Sequence, residues 1–194
     1  AGTPCISDPG SFLVQAMHNN GIDVIPIPGS SAVSTLLSVA GMAVDQHIFI
    51  GFFPKKKDLG HPYLASAQKH GIPLVFFESP KRIKDTLSFL ANYGDINRIC
   101  VGKELTKQYE TILTGSIENV VEQVNQLPDK GEWVVCCNFN KKEEPKFDQD
   151  VLNTMIEENM SQKQIARIGK ALGWSKNNVY EYYLKKKMKN KDDV

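Results

Sequence analysis

Four polar segments interrupt an otherwise apolar pattern, and they hold the residues best suited to chemistry. The chain opens with AGTPCISDPG, where Gly2, Pro4, Pro9 and Gly10 alternate backbone freedom with restriction and Thr3, Ser7 and Asp8 add short polar side chains. A loop of this kind delivers a helix N-terminus to a polar or anionic small molecule. In PGSSAVS, Pro28 and Gly29 turn the chain and Ser30, Ser31 and Ala32 open a helix whose free amides could receive a carboxylate. FFESPKR sets Glu78, Lys81 and Arg82 at the C-terminal end of an apolar run, the usual binding edge of α/β sheets. GKELTKQYE gathers Lys103, Glu104, Thr106, Lys107 and Glu110 at another strand exit, acid beside base, as proton transfer requires.

What is missing narrows the chemistry. The sequence has no G-x-x-x-x-G-K-[ST] phosphate loop, no H-E-x-x-H and no G-x-S-x-G elbow. The four histidines at 18, 47, 61 and 70 are scattered, so no metal site is expected. Cysteines 5, 100, 136 and 137 have no metal-ligand spacing and read as reduced thiols of a cytoplasmic protein, with Cys136 and Cys137 on opposite faces of a strand. No apolar run is long enough to cross a membrane.

The elements that must position these residues follow from periodicity. An α/β layer protein is predicted to about residue 140, with a helix over 11–19, a strand over 22–29 and a small-residue helix after Ser30 or Ser31. A domain boundary is placed near residue 45, dividing residues 1–44 from a second α/β unit over 45–140. In that unit the pattern predicts strands at 47–54, 72–79, 96–105 and 131–139, and helices at 61–71, 80–94 and 114–127. Pro80 is expected in the first turn of its helix and Ser116 as a cap. The result is a mixed sheet covered by helices.

Residues 140–150 form a charged, Pro-containing linker, and the remainder of the 141–194 segment is helical in pattern. Residues 161–187 resemble a helix-turn-helix, with Ser161 and Ser175 as caps, Gly173 as the stop, and Ile165, Ile168 and Leu172 packed against Val179 and Tyr183. The formal net charge is +1, yet residues 161–191 hold nine Lys or Arg against the single acid Glu181. Nucleic-acid contact and a simple solvated bundle are both open for this tail.

In order and spacing, AGTPxISDPG, PGxSA, GFFPKK, FFESPKR, KELTKxYE and GEWVV resemble the tetrapyrrole methylase superfamily, and within it the ribosomal RNA small subunit methyltransferase I group. The resemblance implies a class III methyltransferase of two α/β domains using S-adenosylmethionine. It implies 2′-O-methylation of a cytidine ribose in small-subunit (16S) ribosomal RNA or an assembled subunit, and a homodimer. About a third of the family's length, at the N-terminus, is expected to lie outside this sequence, leaving the first domain incomplete.

By the same resemblance Gly2, Thr3, Pro4 and Ile6 would line the cofactor, Ser31 and Ala32 would approach its methionine end, and Ile50, Gly51 and Phe52 its adenine. In-line methyl transfer needs no metal; positioning and removal of the hydroxyl proton should supply most of the effect. Glu104, Lys107 and Glu110 are the catalytic candidates, and Lys55, Lys56, Lys57, Glu78 and Arg82 the substrate-binding ones. Two alternatives stand beside this reading: a methylase of a small tetrapyrrole-type molecule, and a DNA-binding regulator using the tail.

Overall fold

The computed structural model describes residues 2–140 and 147–192, with side chains to residue 186. The chain forms two compact units, Ala1–Lys141 and Lys142–Val194. The expected linker lies mostly at 141–146, outside the described residues.

The first unit is built on five strands, β1 (Ile48–Phe52), β2 (Leu74–Glu78), β3 (Ile96–Lys103), β4 (Thr111–Gly115) and β5 (Trp133–Phe139), in the order β1-β2-β5-β3-β4. β1 and β2 are parallel, and the other pairings are antiparallel, so the sheet is mixed. The helices of this unit are α1 (Ser11–Asn19), α2 (Ala32–Val39), α3 (His61–His70), α4 (Ile83–Tyr93) and α5 (Ile117–Asn125).

Strand alternation divides the core in two. On one face Leu74, Phe76, Ile99, Val101, Val135 and Cys137 pack under Leu64 of α3, Ile83 and Leu87 of α4, and Val120 of α5. On the other, Val75, Cys100, Val134 and Cys136 meet Val33, Leu36, Leu37 and Ala40 of α2. Cys136 and Cys137 thus do face opposite ways, and burial pushes the Cys136 thiol up to about 12. Gly102 permits the close approach of α2: a Cβ there would lie 2.9 Å from Leu36 Cδ1 and 2.8 Å from Leu105 Cδ2.

Three local expectations are corrected. Residues 22–29 form no strand; Pro26 and Pro28 lack the N–H a ladder needs, and Ile25 and Ile27 are about four-fifths exposed, at 80% and 82%. The helix expected from Pro80 begins at Ile83, because Arg82 N and Ile83 N both donate to Ser79 O in a turn that places Pro80 ahead of the helix. β4 was not anticipated, although its Thr-Ile-Leu-Thr alternation is that of an edge strand.

The second unit contains α6 (Gln149–Glu157), α7 (Gln162–Ala171) and α8 (Lys176–Asp192). Asp148 caps α6, and Ser161 with Gln164 forms a capping box on α7. Its core is Leu152, Ile165, Trp174, Val179 and Tyr183. Leu172, expected in the packed stripe, is 43% exposed. The chain reverses at Gly173 so that Trp174 N donates to Gly169 O, and Trp174 rather than Leu172 belongs to the buried cluster.

Candidate active site

The segments expected to hold a cofactor meet at the C-terminal end of β1. The opening loop is bent by positive φ at Cys5 (69°) and Ser7 (56°), a costly geometry for residues with side chains. Thr3 Oγ1 donates to Ser30 O at 3.0 Å, tying the loop to the turn before α2. A Cβ on Gly2 would lie 4.0 Å from that same carbonyl. Ser31 caps α2 by accepting from Ser34 N at 3.5 Å, which leaves neighbouring first-turn amides available to a ligand. β1 pairs with β2 irregularly between Phe49 and Phe52, and Gly51 takes φ 67° there, with a notional Cβ 3.5 Å from Ser7 Oγ. Gly2, Thr3, Ser31 and Gly51 are therefore brought together, with Ala32 next on α2 and Ile50 beside the bulge. Pro4, Ile6 and Phe52 are exposed, Ile6 by 50% and Phe52 by 56%.

At the same end of the sheet, register aligns Glu78, Trp133, Lys103 and Thr111 in one row across β2, β5, β3 and β4. Glu78 is buried and fully engaged: Arg82 Nη2 approaches Oε1 at 2.5 Å, Ser79 N donates to Oε1 at 2.6 Å, and Thr86 Oγ1 donates to Oε2 at 2.8 Å. Arg82 also donates to Phe53 O at 3.2 Å, so the pair fastens β1 to β2. Lys57 donates to Asp85 O at 2.9 Å, while Lys55 and Lys56 are exposed beside it.

Glu104 sits at φ 50° and forms a latch with the loop before β5. Its N–H donates to Glu132 O at 2.9 Å, and its Oε1 accepts from Glu132 N at 2.8 Å and Lys107 Nζ at 2.9 Å. Lys107 also donates to Glu132 Oε2 at 2.9 Å. The Glu132 amide, and then Lys107, hold the Glu104 carboxyl below its ordinary value; Glu132 and Glu104 raise Lys107 above its own. Glu110 Oε2 accepts from Thr106 N at 2.5 Å, closing the loop between β3 and β4.

Sequence reasoning did not anticipate Glu132 or Trp133 as members of this cluster. Trp133 Nε1 is buried with no partner, and Lys103, only 5% exposed, lies 5.3 Å from the Trp133 ring. Among the described residues, no hydrogen bond or ion pair engages the Lys103 side chain, an unusual state for a buried amine. The signal for Trp133 was its place in GEWVV; nothing local could have told which strand it faces.

The fold and site define a class. The model of the tetrapyrrole (corrin/porphyrin) methylases matches residues 1–121, and the chain belongs to that family. Among curated relatives, the ribosomal RNA small subunit methyltransferase I of Haemophilus influenzae is 35% identical over 192 residues, covering 95% of this chain and 68% of the relative. The protein of that name from Halalkalibacterium halodurans is 38% identical over 147 residues, covering 75% and 51%. The chain thus spans about half to two thirds of the length of these relatives. Among solved structures, the methyltransferase CobJ is similar with a TM-score of 0.51 at 18% identity, over 71% of this chain and 62% of that one, a likeness of fold.

Proposed function

We propose that the protein is an S-adenosylmethionine-dependent methyltransferase that modifies the 2′-hydroxyl of a cytidine ribose in small-subunit ribosomal RNA, working in the cytoplasm as a homodimer. The observation that carries this reading is the convergence of the opening loop, the α2 N-terminus and the β1 bulge at one sheet edge, in a chain of this family. The cradle suits the cofactor: glycines at 2 and 51 keep side-chain bulk away, and the Ser31-capped helix start offers amides for a carboxylate. Gly2, Thr3, Pro4, Ile6, Ser31, Ala32, Ile50, Gly51 and Phe52 would hold it. Bound there, S-adenosylmethionine supplies an electrophilic methyl group. Residues 1–44 then belong to a first α/β domain and 45–140 to a second.

The chain's own part is to orient the ribose and remove its proton. Glu104 is a weak base, because two donors hold its carboxyl low; with Lys107 it fixes the loop that carries Glu110. Glu110 is assigned as the proton acceptor, and the buried Lys103 supplies positive charge that favours an ionising hydroxyl. Glu78 and Arg82 act by fixing the strand ends, and Lys55, Lys56 and Lys57 offer phosphate contacts.

The test combines cofactor binding with transfer. S-adenosylmethionine should protect Cys5, the exposed thiol of the opening loop, from alkylation. Labelled methyl should pass to small ribosomal subunits, measured for this chain and for a form extended at its N-terminus. Absence of both protection and transfer in both forms would overturn the reading.

A further inference from the structure

The second unit carries a concave surface that the proposed chemistry does not use. Between α7 and α8 lies a cavity of about 780 Å³, lined by Lys163, Arg167, Lys170 and Lys176 together with Trp174 and Tyr180. Lys163, Arg167 and Lys170 follow one another at helical spacings of four and three residues, so they form a single stripe along α7. No ion pair among the described residues engages any of the four cations, and the lining contains no carboxylate. Among the residues whose side chains are described, the acids of this unit lie elsewhere: Asp148, Asp150, Glu157 and Glu158 are on or beside α6, and Glu181 on α8 is not part of the lining.

We propose that this groove binds a single-stranded segment of RNA, with phosphates on the α7 stripe and an unstacked base against Tyr180, a residue that is half exposed (50%). Cations without neighbouring carboxylates fit a polyanion. Shape separates the polyanions. A helix-turn-helix that reads duplex DNA inserts its second helix into the major groove as a protruding ridge. Here the basic stripe is on the first helix, and the aromatic surface is recessed. A hollow rimmed by cations and floored by aromatics receives bases that have left a stack, as single-stranded RNA presents them. The inference rests on the RNA reading above and assigns the second unit a substrate-holding task.

Fluorescence anisotropy on the intact chain, with a labelled single-stranded oligonucleotide of small-subunit ribosomal RNA and a duplex DNA of matching sequence, tests it. The double variant R167E/K170E should weaken RNA binding at least tenfold and lower the slope of log affinity against log salt by about 1.4, the loss of two phosphate contacts. Tyr180→Ala should weaken binding several-fold while leaving the salt slope unchanged, which a purely ionic surface would not do. Unchanged affinity in both variants, with Trp174 fluorescence confirming a folded unit, would overturn the groove. So would tighter binding of the duplex DNA than of the RNA. If the wild-type chain transfers no methyl group in any form yet binds RNA through these residues, the groove stands and only the enzymatic reading falls.

Discussion

Single residues at the strand ends divide into those already engaged and those held in reserve. Glu104 and Lys107 hold each other and Glu132, so their ionisation is linked to stability. The Glu104 carboxyl is lower in the folded protein than its ordinary 4.5, so its contribution is complete above that value and is lost as pH falls through and below it. Lys107 is raised above 10.5, so its contribution is complete below that value and is lost as pH rises beyond it. Glu104→Gln should therefore melt at a lower temperature than the parent at pH 7, and the gap between the two curves should narrow as the pH falls below 4.5. Melting profiles that stay parallel across the acid range would contradict the latch.

Lys103 makes the opposite case. Replacing a buried cation that has no ion-pair partner among the described residues by an apolar chain of similar length is expected to preserve or raise stability. Lys103→Met should leave the melting temperature unchanged or higher, while methyl transfer, in the form of the protein that supports it, falls on the order of 100-fold. Lys103→Arg should restore part of the rate if charge is what matters. Equal rates for all three proteins would remove Lys103 from the mechanism.

At the level of elements, the sheet edge is shaped by two glycines with different tasks. Gly51 bends β1 at φ 67°, where a side chain would be strained. Gly102 instead makes room, since any Cβ there enters the contact of α2 with β3 and with Leu105. Gly102→Ala is expected to cost about 1–3 kcal/mol of stability by overpacking, measured by urea unfolding. A loss below a few tenths would mean that α2 shifts freely on the sheet. The α1 helix has no buried residue, and Phe12 and Leu13 are 86% and 62% exposed. Its apolar positions follow a helical period legible in the sequence, but what covers them is not set by that period.

Each of the two units has core residues of its own, and each holds one of the two tryptophans: Trp133 in the first unit, Trp174 in the second. Trp133→Phe and Trp174→Phe variants therefore report one unit apiece by fluorescence. We expect their thermal transitions not to coincide, because the residues of each core cluster all come from a single unit. Superimposable transitions would show that the units unfold as one.

The sequence by itself determined the helices that carry their own caps, such as those opened by Ser116 and Ser161, left the cap of α2 between Ser30 and Ser31, and determined the apolar runs of β2 and β5. These signals are local: a cap needs three residues and an apolar run needs only its own composition. It also determined which residue types could do chemistry, since GTPCISDPG, ESPKR and KELTKQYE are legible without coordinates. Only the tertiary structure decided their partners. That Thr3 reaches Ser30, that Glu132 closes on Glu104, and that Trp133 lies between Glu78 and Lys103 in one row are facts of strand order and register. Strand order pairs residues far apart in the chain, and no local periodicity encodes it. The failed strand at 22–29 teaches the same lesson in reverse: its apolar alternation was real, but a strand exists only when a neighbour accepts its hydrogen bonds.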